Sequence, residues 1–219
     1  RQHQYGNAET TDLWDAIEVE TGEPVRRIMD SWIFQGGYPL VSLAQNAPGG
    51  RDRLELAQAT MAYAGPPAPS NGDDARGQQW AVPVLARWKA EGDDEPRRSR
   101  ALIEGPTLTV TLDATPRWVV LNAGSTGFYR VAYSDEQLDR LADIAIEELE
   151  PMERYALIDD TYAAMVAGRT ASPAFLNLIE AMSGESDRSA WQRTIQGLRQ
   201  LARLVDGAAQ EAPQDIPHH

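Results

Sequence analysis

Residues 79–88 read Gln-Trp-Ala-Val-Pro-Val-Leu-Ala-Arg-Trp, with Trp80, Val82, Val84, Ala86 and Trp88 on every second position. Side chains of an extended chain alternate between faces, so this spacing predicts a strand with one face against a core. The period of two recurs at Leu54 to Tyr63, Ala101 to Ile103, Leu108 to Leu112, Trp118 to Leu121 and Phe128 to Tyr133. Short strands broken by turn residues at this spacing predict an antiparallel β-sandwich. Between them, the Pro/Gly-rich polar run from Gly65 to Asp74 can neither pair nor pack, and a long flexible loop is expected over 65–78. Glu91 to Arg100 reads as a second loop tip, its acids at 91–95 facing its bases at 97–100.

On both sides of the strands the apolar period becomes helical. Residues 10–20 place Leu13, Trp14 and Ile17 on one face, with Thr10 or Thr11 as N-cap and Gly22 as stop. Pro24 is expected at the first position of a second helix, whose stripe is Val25, Ile28, Met29, Trp32 and Ile33. Gly36-Gly37 ends it, and Tyr38 to Leu43 reads as extended chain. After the strands, Ser134-Asp135-Glu136-Gln137 predicts a capped helix carrying Leu138, Leu141, Ala145 and Leu149. Three more helices are expected: from Pro151 to Gly168, from a Ser172 cap, and from a Ser186 cap through Trp191, Ile195, Leu198, Leu201, Leu204 and Val205. Short loops between four helices predict antiparallel hairpins stacked in an array, and the residues after Ala209 read as frayed.

Composition limits the function. The 219 residues are 42% hydrophobic and 24% charged, which fits a folded globular chain and excludes a disordered or collagenous one. The net charge of −13 repels phosphate, so neither nucleic acid nor an anionic membrane is expected as partner. No run approaches the ~20 apolar residues of a membrane helix. Cysteine is absent, removing disulfides and thiolate metal sites, and a cytoplasmic location is expected. The start at Arg1 and the end at His218-His219 suggest an excised piece of a longer protein.

Motifs with chemistry are few. The only histidines are His3, His218 and His219, and no H-E-x-x-H is present, so no metal site is expected. Asp159-Asp160 are adjacent on a predicted helix and point about 100° apart, so they do not converge on one substrate atom. One of them is expected in water and one bonded to an arginine or a helix end. Ala123-Gly124-Ser125-Thr126-Gly127 lacks the first glycine and the following helix of a nucleophile elbow, and reads as a β-turn. Arg97-Arg98-Arg100 beside Asp93-Asp94-Glu95 reads as a solvated hairpin tip. All six tryptophans are expected as core anchors. No catalytic, cofactor-binding or metal-binding residue is therefore assigned.

Three segments resemble one family. Asp12-Leu13-Trp14-Asp15-Ala16-Ile17, Gly22-Glu23-Pro24-Val25, Ile28-Met29-Asp30-Ser31-Trp32 and Gln35-Gly36-Gly37-Tyr38-Pro39-Leu40-Val41 look like the end of the catalytic domain of the aminopeptidase N-like zinc peptidases, the gluzincin aminopeptidases. Thr126-Gly127-Phe128-Tyr129-Arg130-Val131-Ala132-Tyr133 resembles the strand that closes that family's sandwich domain. Leu157-Ile158-Asp159-Asp160 with Ala167-Gly168-Arg169 resembles its first helical hairpins. The resemblance implies an enzyme that removes N-terminal amino acids from peptides with zinc-activated water. The family's H-E-x-x-H helix and amine-binding G-x-M-E-N strand are absent from this sequence. The resemblance therefore implies a non-catalytic C-terminal part, inactive alone, whose zinc and peptide chemistry belongs to a missing catalytic domain.

The expected organisation is a helical tail of that catalytic domain at 1–43, a β-sandwich spacer at 44–133, the start of a helical domain covering the active-site cavity at 134–210, and a disordered tail at 211–219. The apolar stripe within 13–33 is expected to seek a substitute surface, including a second copy of the chain. A free-standing peptide- or protein-binding module is the alternative, and a metal-free hydrolase using Asp159 or Ser125 is disfavoured by geometry.

Overall fold

A computed structural model describes residues 9–45, 50–62 and 78–211, and divides the chain into two compact units, Arg1–Ser134 and Asp135–His219. The expected 65–78 loop, apart from Gln78, and the tail from 212 lie outside the described residues.

The first unit opens with α1 (Thr10–Thr21) and α2 (Val25–Ile33). Glu9 caps α1, not Thr10 or Thr11: its carboxylate accepts from the first turn, while its own N–H donates to Asp12 Oδ2 at 2.8 Å. Gly22 closes α1 in the left-handed region, φ 70°, and donates to Glu18 O. Pro24 stands one residue earlier than expected, as the N-cap of α2.

Among the described residues seven strands follow: β1 (Pro39–Gln45), β2 (Arg53–Thr60), β3 (Val82–Ala90), β4 (Arg97–Ile103), β5 (Thr107–Thr111), β6 (Pro116–Leu121) and β7 (Arg130–Ala132). They form one sheet in the order β5-β2-β1-β7 and another in the order β4-β3-β6. All neighbours are antiparallel except β1 and β7, which run parallel with Leu40, Val41 and Ser42 opposite Arg130, Val131 and Ala132. The six expected strands are all present with shifted ends, and β1 realises the extended Tyr38–Leu43 stretch.

The alternation in β3 is borne out. Val82, Val84, Ala86 and Trp88 are buried, and one hydrophobic cluster joins them to Val41, Leu54, Leu56, Ile103, Leu121 and Val131 from both sheets. Pro83 is tolerated in the central strand because β6 pairs only with residues 86–90 of β3, leaving Pro83 with β4 alone. Gln58 of β2 accepts from Trp80 N at 2.9 Å and donates to Trp80 O at 2.9 Å, satisfying the chain just before β3.

The 91–100 tip is shorter than expected. Arg97, Arg98 and Arg100 belong to β4, where cross-strand pairing with β3 is more favourable than a loop. Arg97 reaches back to Asp93 with two bonds, Nε to Oδ2 at 2.8 Å and Nη2 to Oδ1 at 2.7 Å, which fastens the turn.

The second unit contains α3 (Asp135–Glu148), α4 (Pro151–Val166), α5 (Ser172–Ala181) and α6 (Arg188–Glu211). Helices two apart in sequence pack together, α3 on α5 and α4 on α6, around Leu141, Ile158, Phe175 and Leu178. Ala171, not Ser172, is the N-cap of α5. At the start of α6 the capping acceptor is Asp187 instead of Ser186: its Oδ1 receives Ser189 N at 2.8 Å and Ala190 N at 3.0 Å.

Candidate functional site

Buried polar groups concentrate on the inner faces of α4 and α6. Glu153, Arg154, Asp160, Thr161, Glu185, Arg193 and Thr194 are all buried in the second unit. Such groups are costly without partners, so their pairing decides what they can do.

Arg154 and Glu185 form a two-bond pair, Nε to Oε2 at 2.5 Å and Nη2 to Oε1 at 2.9 Å, and Arg154 Nη1 donates to Leu149 O. Glu185 Oε1 also accepts from Ser186 N and Asp187 N. The Arg154 guanidinium holds the Glu185 carboxyl below its ordinary range, with the two backbone N–H groups assisting and burial opposing. The pair thus links α4 to the turn that opens α6.

Asp159 faces Arg193, whose Nε donates to Oδ1 at 2.5 Å. The Arg193 guanidinium also lies 4.4 Å from the ring centre of Tyr162, and Tyr162 meets Phe175 edge-on at 5.6 Å. The sequence expectation of an arginine partner for one Asp is met at Asp159. The expectation that the other lies in water is not: Asp160 is buried, more deeply than the half-buried Asp159. The two signals sequence reasoning lacked, Glu185 for Arg154 and Arg193 for Asp159, lie 31 and 34 residues away along the chain. Both Asp159 and Glu185 are bonded to guanidinium groups, which suits anchoring and leaves neither shaped as a proton acceptor for a substrate.

Ser125 lies in the short turn Ala123–Ser125 after β6, in the left-handed region with φ 56°. Asn122, also left-handed at φ 59°, spans this turn: Oδ1 accepts from Gly127 N at 2.7 Å and Nδ2 donates to Gly127 O at 3.0 Å. No helix follows, so the turn does not raise Ser125 as a nucleophile. Among the described residues no group of three or more His, Cys, Asp or Glu side chains is placed to hold a metal, and His3, His218 and His219 lie outside them. No helix among the described residues is long and apolar enough to cross a membrane.

The other unusual surface is apolar and belongs to the first unit. Phe128 is 75% exposed, yet it meets Trp32 at 6.1 Å and Tyr38 at 5.8 Å, ring centre to ring centre. Trp32 continues inward to Trp80 at 6.2 Å and donates from Nε1 to Ala81 O at 3.0 Å. Phe34 and Ile33 at the end of α2 and Leu13 and Ile17 on α1 are exposed as well. Of the stripe expected to seek an apolar cover, Leu13, Ile17 and Ile33 are exposed, Val25, Ile28, Met29 and Trp32 are half-buried and Trp14 is buried; Phe34 and Phe128 did not belong to it. A phenylalanine following Gly127 in a turn was the available clue. Trp191, expected in the core, is also exposed.

Comparison with known proteins places the polar helices in context. The family model described as the ERAP1-like C-terminal domain matches residues 118–215. The chain is 31% identical over 202 residues to the puromycin-sensitive aminopeptidase of Caenorhabditis elegans, an alignment covering 92% of this chain and 21% of that protein. It is 33% identical over 211 residues to aminopeptidase M1-A of Oryza sativa subsp. japonica, covering 94% and 23%. It is 33% identical over 186 residues to the tricorn protease-interacting factor F2 of Thermoplasma acidophilum, covering 84% and 20%. The chain thus spans between a fifth and a quarter of the length of these relatives.

Proposed function

Since the chain corresponds to the C-terminal region of aminopeptidase N-like enzymes, we propose that it is a non-catalytic part of a zinc-dependent aminopeptidase that removes N-terminal amino acids from peptides. The observation that carries this reading is the match of residues 118–215 to the ERAP1-like C-terminal domain in a sequence without H-E-x-x-H. In this reading residues 1–43 are the tail of the catalytic domain, the two sheets of 44–133 are a β-sandwich spacer, and the helices of 134–210 are hairpins covering the active-site cavity. The cluster of half-buried Trp32 and Tyr38 with exposed Phe128 supports it, because an aromatic left open to solvent in this way suits docking against a catalytic body. The working compartment in this reading is the cytoplasm.

The test is chemical. The purified chain, supplied with zinc and aminoacyl-p-nitroanilide reporters, is expected to retain no stoichiometric metal after gel filtration and to release no nitroaniline. The gene sequence upstream of residue 1 is expected to encode H-E-x-x-H. Turnover by the isolated chain that a chelator abolishes would overturn the reading.

A further inference from the structure

Strand β5 ends its sheet, with β2 on one side and no described strand on the other. It reads Thr107-Leu108-Thr109-Val110-Thr111, in which exposed threonines alternate with half-buried Leu108 and Val110 packed against the hydrophobic cluster. The bonds at the two ends of the β2–β5 ladder fix its phase. Gln58 N donates to Pro106 O at 2.9 Å and Leu112 N donates to Asp52 O at 2.8 Å, so the even-numbered residues of β5 bond toward β2. Thr107, Thr109 and Thr111 therefore turn their N–H and C=O groups to the open edge.

Open edges are ordinarily blunted by charge, proline, a bulge or brevity. The other sheet edges carry such devices: Arg97, Arg98 and Arg100 on β4, Arg117 on β6, and Arg130 on the three-residue β7. Strand β5 has none within its five residues. Its sequence also complements itself when reversed about Thr109, with threonine opposite threonine and leucine opposite valine. An antiparallel copy in that register sets 109 against 109 and 107 against 111. These are the positions whose bonding groups face outward, so each pair can exchange both of its N–H to O=C bonds. Leu108 then lies beside Val110 of the second copy on the core side, and threonines pair on the outer side. One unblunted edge per chain closes a pair and does not propagate a fibre. We propose that β5 docks on β5 of a second copy of this chain, joining two four-stranded sheets across a two-fold axis at Thr109.

A strand edge of this length belongs to the weak, transient class of interfaces, so sedimentation of the whole chain should show a dimer that grows with concentration. The net charge of −13 opposes association, and raising salt should strengthen it. Thr109→Pro removes an N–H that faces the open edge, and Thr109→Lys sets two like charges at the axis. Each should weaken the dimer at least tenfold while circular dichroism and melting stay unchanged. If the proline variant unfolds, the lysine variant decides. An equimolar mixture of Thr109→Lys and Thr109→Glu chains should restore the dimer, because position 109 faces itself. Ile33→Asp, on the exposed end of α2, should leave it unchanged. A monomer at every concentration, a dimer indifferent to the Thr109 variants, or one that Ile33→Asp abolishes overturns the proposal. So does a monomer that binds a fluorescein-labelled peptide of residues 106–112, which would make an extended segment of another protein the occupant.

Discussion

Arg193 donates to Asp159 from Nε, yet its buried Nη1 has no hydrogen-bond partner among the described residues. The charge is neutralised while part of the guanidinium remains unsatisfied, so the pair secures the approach of α4 and α6 at an energetic cost. Asp159→Ala is expected to destabilise the helical unit by about 3–5 kcal/mol, because it strands a buried cation. Asp159→Leu combined with Arg193→Met should cost far less and restore most of the stability. Urea unfolding followed at 222 nm separates these outcomes, and a single variant within about 1 kcal/mol of the parent would contradict the account.

The Glu185 carboxyl titrates below its unfolded range, and Arg154 is the main cause. Its stabilising contribution is fully present above the unfolded value of about 4.3 and is lost as pH falls through the lower folded value. Glu185→Gln should therefore reduce stability at neutral pH while flattening the acid side of the stability curve. A variant whose melting temperature falls with acid as steeply as that of the parent would show that Glu185 is not responsible.

Gly197 sets two effects against each other. Alanine is favoured over glycine in a helix by about 1 kcal/mol, but a Cβ at this position would lie 2.9 Å from Phe175 Cζ and 3.3 Å from Tyr162 Cδ2. Overpacking typically costs about 1–3 kcal/mol, so Gly197→Ala should be net destabilising by about 1 kcal/mol. Thermal unfolding gives the sign, and a rise in melting temperature would mean that the aromatic pair yields freely.

Two glycines of one turn should respond unequally. A Cβ on Gly127 would lie 2.2 Å from Cε1 of the buried Tyr129, whereas Gly124 has only Thr126 Cγ2 nearby, at 3.8 Å, and loses only its left-handed freedom at φ 67°. Gly124→Ala is expected to cost about 1–2 kcal/mol and Gly127→Ala more. Equal losses in chemical denaturation would remove the Tyr129 contact as the cause.

Strands were legible because their alternation is local: Trp80 through Trp88 disclose their buried face without reference to anything distant. The parallel partner of β1 was not, since Val131 meets Val41 across a separation that no short-range pattern reports. Helix starts failed for a related reason. Glu9 and Asp187 provide carboxylates at the caps where a hydroxyl neighbour looked sufficient, and only the backbone conformation selects between them. At the polar site, Asp159 was visible and its arginine was anticipated, but the identities of Arg193 and Glu185 depend on how helices stack. The exposure of Phe128 is likewise a tertiary fact, as phenylalanine between strand and turn ordinarily marks a core.

The parallel pairing of β1 with β7 also has a consequence on the ribosome. About 90 residues separate the two strands, so at about 5–20 residues per second the edge of β1 waits on the order of 5–20 s for its last neighbour to be synthesised. Throughout that interval the N–H and C=O groups on that edge are available to any passing strand. Chains released before Arg130 would keep this edge open permanently, and they would be the species most prone to aggregate during expression.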